Sequence, residues 1–215
     1  FLVGLVLARL LTPEEYGLIG IITIFMAVFN SIVDSGFSNA LIRKNDACDI
    51  DYNTVFITNL ALSVLLFAVM YMAAPAIAKF FNQPQLELLS KVMASIVIIN
   101  AFAIIQRTIL VKKIDFKTQT KVSLISSISS GVIGITMAFA GLGVWALVGQ
   151  QISRQLLNTL FFWVFAKWFP RLQFSTQSFK ELFGFGWKLL VSGLIDTVWR
   201  EIYQVVIGKY YSAAT

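Results

Sequence analysis

No histidine occurs in these 215 residues, and cysteine occurs once, as Cys48. The first absence removes the commonest general base and the commonest metal ligand together. The second rules out an internal disulfide and argues against a thiolate metal cluster. Charge is scarce as well: 13% of residues are Asp, Glu, Lys or Arg, against about 25% in an ordinary soluble domain. A chain so short of polar surface is not built to sit in water.

What is present is apolar. Hydrophobic residues make up 58% of the chain, and its mean hydropathy is +0.79. Two long runs, Tyr52 to Ala78 and Val122 to Ser153, carry no charge. A bilayer is crossed by a helix of about 20 apolar residues. A transmembrane β-barrel would need short strands of alternating polarity, and these runs are continuous. The fold class is therefore all-α, a polytopic transmembrane helix bundle. One partial and six complete spans are predicted, at 1–11, 17–40, 53–78, 86–106, 121–140, 144–166 and 187–208. Both ends read as cut: FLVGLVLARLL is too short to span and lacks a methionine, and no signal peptide is visible.

The formal net charge of +6 invites a nucleic-acid reading, but its distribution is topological. Arg43 and Lys44 lie between the second and third spans. Arg107, Lys112, Lys113, Lys117 and Lys121 lie between the fourth and fifth, and Lys167, Arg171, Lys180 and Lys188 between the sixth and seventh. These are eleven of the 17 basic residues. Basic connections favour the cytoplasmic side, which gives a cytoplasmic N-terminus and sets nucleic acid aside as a partner. The opposite connections are short, as at Asn82-Gln83-Pro84 and Gly141-Leu142-Gly143.

The segment KWFPRLQFSTQSFKELFGFGWK (167–188) is aromatic and basic together. Ser178 and Glu181 have capping-box spacing, which predicts a short helix with Phe179, Leu182 and Phe183 on one side. It reads as an interfacial helix on the cytoplasmic leaflet, with an anchoring role favoured over a gating one. ARLLTPEE (8–15) and GKYYSAAT (208–215) align without gaps, a weak sign of a repeat about 200 residues long. Transporters are often built from two such halves. The expected organisation is an N-terminal lobe over 1–166 with its first helix truncated, an amphipathic connector over 167–186, and the first helix of a second lobe over 187–215.

Ionisable side chains within a span are costly and face a cavity or a partner. LLVSGLIDTVWREIYQVVIGKYY (189–211) nevertheless carries Asp196, Arg200 and Glu201. Asp196, Arg200 and Gln204 share a helix face by i, i+4, i+8 spacing. Gln150, Arg154 and Asn158 repeat that spacing in the sixth span, and Asn30, Asp34 and Ser38 in the second. Three polar stripes fit a shared, partly wet interior. The competing reading is mutual neutralisation, Asp196 with Arg200 and Asp34 with Arg154. SLISSISSGVIGITMAFAG is dense in small residues and reads as a helix-packing face. Asn59 and Asn100 are expected to make interhelical hydrogen bonds.

LARLLTPEEYGLIGI (7–21), followed by VDSGFSNALIRK (33–44), resembles the start of the polysaccharide-export flippases. RTILVKKIDFKTQTKV (107–122), GLGVWALVGQQI (141–152) and FGFGWKLLVSGLIDTV (183–198) are similar to later segments of that family, in the same order. The chain most resembles the O-antigen or exopolysaccharide flippases of the multidrug/oligosaccharidyl-lipid/polysaccharide superfamily. The resemblance implies two six-helix lobes around a central cavity with alternating access. It implies a bacterial inner-membrane protein whose substrate is an oligosaccharide on undecaprenyl diphosphate, moved from the cytoplasmic to the periplasmic leaflet. Membrane lipids and other polysaccharide assembly proteins are the implied partners.

The residue chemistry agrees. Arginine grips phosphate oxygens bidentately, as Arg154 and Arg200 would. Gln150, Asn158 and Gln204 supply amides for sugars. No cofactor is implied, and coupling to protons or sodium would fall to Asp34, Asp196 or Glu201. The alternatives are a multidrug or organic-cation exporter of the same superfamily, a lipid II exporter, and a membrane-embedded glycan polymerase, ligase or acyltransferase.

Overall fold

The computed structural model describes the backbone of residues 2–34 and 36–210 and the side chains of 3–33 and 36–200. Every regular element within that range is helical. They are α1 (Leu2–Leu10), α2 (Pro13–Asp34), α3 (Phe37–Arg43), α4 (Asp49–Phe81), α5 (Gln85–Met93), α6 (Ser95–Lys112), α7 (Phe116–Phe139), α8 (Val144–Ala166) and α9 (Thr176–Tyr210). Five segments are long and apolar enough to cross a membrane: Pro13–Arg43, Asp49–Phe81, Gln85–Lys112, Phe116–Phe139 and Thr176–Arg200. The chain is an all-α, multi-pass membrane protein.

Two expected spans take a different form. The fourth is α5 and α6 in near-continuous succession, reaching Lys112 rather than ending at residue 106. The sixth, α8, has 23 residues but is not among the segments apolar enough to qualify. Gln150, Gln151, Arg154, Gln155 and Asn158 are the reason. It lies along α7 and α6, both parts of qualifying spans.

Local chemistry sets the helix ends. Thr12 and Glu15 form a reciprocal cap ahead of α2. The Glu15 carboxylate accepts from Thr12 N at 2.8 Å, and Thr12 Oγ1 accepts from Glu15 N at 3.3 Å, with Pro13 at the first helical position. Asn82 closes α4 in the left-handed region, with φ 55°, where asparagine is tolerated. Gly143 opens α8 at φ 53°, and a Cβ there would collide with the Glu15 carboxylate. Both conditions select glycine.

Packing relies on small residues and amides, because lipid tails give helices no hydrophobic reason to associate. A Cβ on Gly131 of α7 would meet Val3 of α1 at 2.5 Å, and one on Gly134 would meet Gln150 of α8 at 2.9 Å. Ser126 and Ser130 are buried beside them. The small-residue face of the fifth span is a packing face, as its composition suggests.

The segment after α8 folds back over the start of α4. Asn53 Oδ1 accepts from Arg171 N at 2.7 Å, and Thr54 Oγ1 accepts from Ser175 N at 3.0 Å. Trp168 lies against Tyr52 and Phe56. The cap falls at Ser175, whose Oγ accepts from Ser178 N at 3.2 Å, and not at Ser178. Nor is the expected short helix a separate element. It is the first part of the 35-residue α9. Its Phe179 and Phe183 pack on Phe37 of α3, with ring centroids 5.7 and 6.0 Å away.

Candidate functional site: two polar cavities joined at Arg107

α2, α3, α6 and α9 line an open cavity of about 600 Å³. Asn30 and Ser31 of α2, Ser38 and Asn39 of α3, Arg107 and Thr108 of α6, and Asp196, Thr197 and Arg200 of α9 face it. Two of these are cationic and one is anionic. Arg200 grips Asp196 with two nitrogens, Nε to Oδ1 at 3.1 Å and Nη2 to Oδ2 at 3.0 Å. This i, i+4 pair leaves Arg107 as the other cationic side chain of the wall.

Asn30 is held by an amide ladder through three helices. Its Oδ1 accepts from Asn100 Nδ2 of α6 at 3.0 Å, and Asn100 Oδ1 accepts from Gln155 Nε2 of α8 at 3.0 Å. Thr159 Oγ1 continues the seam by donating to Ile99 O at 3.0 Å, and Trp163 Nε1 by donating to Phe102 O at 2.8 Å. Asn100 thus makes the interhelical bonds expected of it. Asn59 does not: it is fully buried and its amide has no hydrogen-bond partner among the described residues.

The seam uses Gln155, Thr159 and Trp163, one step round α8 from the stripe that the spacing singled out. Gln150 of that stripe packs on Gly134 of α7. Arg154 is exposed on α8 and does not line the cavity of Arg200. Asn158 faces a second cavity of about 550 Å³ between α6, α7 and α8, which Arg107 also lines. The side chains of Asp34, Glu201 and Gln204 lie outside the described residues.

Arg107 is the residue that sequence reasoning missed as part of the site. Ending the fourth span at residue 106 put it in a cytoplasmic connection. Ile109, Leu110 and Val111 follow it without a break, and that apolar continuation was the available signal that the helix goes on.

The comparisons with known proteins converge. A family model described as "polysaccharide biosynthesis protein" matches residues 6–215. The chain belongs to that family. Among curated members, it is 30% identical over 190 residues to the teichuronic acid biosynthesis protein TuaB of Bacillus subtilis (strain 168). That alignment covers 86% of this chain and 39% of TuaB. It is 24% identical to the succinoglycan biosynthesis transport protein ExoT of Rhizobium meliloti (strain 1021), over 95% of this chain and 42% of ExoT. It is 22% identical to the lipopolysaccharide biosynthesis protein WzxC of Escherichia coli (strain K12), over 97% of this chain and 43% of WzxC. The chain thus spans about two-fifths of the length of these relatives. No solved structure matches it significantly.

In this family member the basic connections gather at one end of the bundle. Lys44 Nζ lies 3.2 Å from Asp51 at the start of α4 and 3.0 Å from Glu181 on α9. The Glu181 hydrogen bond, aided by Asp51 and opposed by desolvation, holds the Lys44 ammonium above the usual lysine range. Lys112 Nζ donates to Leu41 O at 3.3 Å and to Lys44 O, closing the last turn of α3. Arg43 sits 4.4 Å from the centre of the Phe185 ring. Glu15, Gln85 and Gly143 meet at a different site, where α2, α5 and α8 begin.

Proposed function

We propose that the protein carrying this chain flips an undecaprenyl-diphosphate-linked oligosaccharide from the cytoplasmic to the periplasmic leaflet of a bacterial inner membrane. It works by alternating access between this lobe and a second one. The observation that carries the reading is the cavity holding Arg107 and Arg200 among the amides of Asn30 and Asn39, between helices that are otherwise apolar. Guanidinium groups suit a diphosphate, amides and hydroxyls suit the first sugar, and the polyprenyl tail remains in lipid. Family membership and the name of WzxC support a part in polysaccharide biosynthesis, and the name of ExoT supports transport. The basic end of the bundle is cytoplasmic, by the excess of Lys and Arg there. Arg154, exposed at mid-helix, needs an aqueous path and is assigned to another part of the same route. Ion coupling rests with Asp34, Asp196 or Glu201.

An organic-cation exporter would favour an acidic wall. Here the one carboxylate among the described residues of the wall, Asp196, is bound by Arg200, so the anionic cargo is the better fit.

Deletion of the intact gene in its host, followed by mass spectrometry of lipid-linked oligosaccharides with leaflet-selective labelling, tests the proposal. Completed repeat units are expected to accumulate on the cytoplasmic side. The wild-type gene is expected to rescue, and Arg107→Ala, Arg200→Ala or Arg154→Ala to rescue poorly. An unchanged lipid-linked pool would overturn the reading.

A further inference from the structure

The residues that join α8 to α9, Lys167 to Ser175, form no regular structure, yet they are held in place. Arg171 N donates to Asn53 Oδ1 and Ser175 N to Thr54 Oγ1, and both acceptors are buried near the start of α4. Between these ties Gln173 N donates to Arg171 O at 2.8 Å, an i to i+2 bond that closes a tight turn on Leu172. The result is a fixed arch with Leu172 at its tip. That leucine is 97% exposed, and Phe169 and Phe174 to either side are 68% and 49% exposed. Trp168 instead packs inward on Tyr52 and Phe56. Lys167 and Arg171 are exposed. Neither makes an ion pair among the described residues, unlike Lys44, Lys91 and Arg200. The segment contains no Asp or Glu.

We infer that this arch docks on the lipid leaflet at the basic end of the bundle and selects anionic phospholipid there. The inference does not depend on the transport reading. Backbone without regular structure stays out of the hydrocarbon, where its polar groups would go unpaired, so the arch lies at headgroup level. Trp163, Trp168 and Tyr52 agree with that depth, since Trp and Tyr collect at membrane interfaces. Trp163 lies 5.9 Å from the Phe169 ring, and Trp168 lies 6.2 Å from Tyr52. Apolar side chains held outward on a fixed backbone enter the acyl boundary with little left to order. The cations beside them meet lipid phosphate, whose oxygens a guanidinium grips bidentately. A zwitterionic headgroup brings its own ammonium next to that phosphate. An anionic headgroup does not, and it therefore suits two cations without a carboxylate partner. The lipid contact thus falls one segment earlier than the aromatic pattern suggests. Phe179 and Phe183, expected on the outer side of an interfacial helix, pack on Phe37 of α3, and the arch before them presents the apolar surface.

The test uses the intact protein with Cys48→Ser and Leu172→Cys, the new thiol carrying an environment-sensitive fluorophore. It is reconstituted in nanodiscs of mixed phosphatidylcholine and phosphatidylglycerol. Quenching is measured with aqueous acrylamide, and with each of the two lipids spin-labelled close to its headgroup. The fluorophore is expected to be shielded from acrylamide. It is also expected to be quenched more by spin-labelled phosphatidylglycerol than by the phosphatidylcholine form at equal mole fraction. A basic side chain at an anionic surface favours that lipid about fivefold. Lys167→Gln combined with Arg171→Gln is therefore expected to remove most of the preference while the shielding from acrylamide persists. Neither substitution touches the backbone ties to Asn53 and Thr54. High salt is expected to do the same without any charge substitution. Free access of acrylamide would put the arch in water and overturn the inference. Shielding from acrylamide and from both spin-labelled lipids would put a protein segment over the arch, and would overturn it as well. Equal quenching by the two lipids at low salt would overturn the selection of anionic headgroups.

Discussion

Lys44 ties three parts of the chain together through one ammonium. Its partner Asp51 is 1% exposed, whereas Glu181 is 57% exposed, and the two contacts differ accordingly in worth. Lys44→Met leaves a buried carboxylate without its counter-charge and is expected to cost about 1–3 kcal/mol. Thermal unfolding of the detergent-purified intact protein measures it. Adding Asp51→Asn to Lys44→Met is expected to recover much of the loss, because the unpaired charge goes with it. Glu181→Gln is expected to change stability by about 0–1 kcal/mol. The ammonium's folded pKa is raised, so its contribution is complete below the ordinary lysine value of 10.5. That contribution fades only as pH rises through the higher folded value. No pH dependence from this group is expected near neutrality.

At the scale of elements, α9 seats on α3 by backbone contact. A Cβ on Gly186 would lie 2.7 Å from the Gly36 carbonyl oxygen, and one on Gly36 would lie 2.8 Å from that of Gly186. Gly186→Val is therefore expected to push α9 off its seat. Lys44 and Glu181 meet at their side-chain tips, so bridging of Lys44→Cys with Glu181→Cys by a bifunctional thiol reagent, in a Cys48→Ser background, reads this out: efficient with Gly186, lost with valine. The amide ladder makes a second test. Asn100→Leu orphans Asn30 and Gln155 together and is expected to cost about 1–2 kcal/mol, the scale of intramembrane hydrogen bonds.

The helices themselves were legible, because apolar runs of membrane length are the strongest signal a sequence carries. Less legible was the continuity of α9, whose first half carries Lys180, Glu181 and Lys188 and so reads as a connection. Those charges are accommodated because that half docks on α3 and α4. Periodicity also showed that α8 has polar faces, but not which helix each face meets. Hence the spacing singles out Arg154, whereas the structure bonds its neighbour Gln155 to Asn100.

For the whole molecule, the diphosphate path proposed along Arg107 and Arg200 would tie rate to cavity charge. Arg107→Lys keeps the charge and loses the bidentate fork, so it is expected to transport better than Arg107→Ala and worse than the wild type. Initial transport rates of the three proteins provide the check. The most direct measurement is reconstitution of the intact protein in liposomes bearing undecaprenyl-diphosphate-linked oligosaccharide. Access of an external glycan-modifying reagent to the inner leaflet's share of that lipid is then followed. Transport predicts that the protected half becomes accessible with the wild type and stays protected with Arg107→Ala combined with Arg200→Ala. Protection that persists with the wild type would contradict flipping of this lipid.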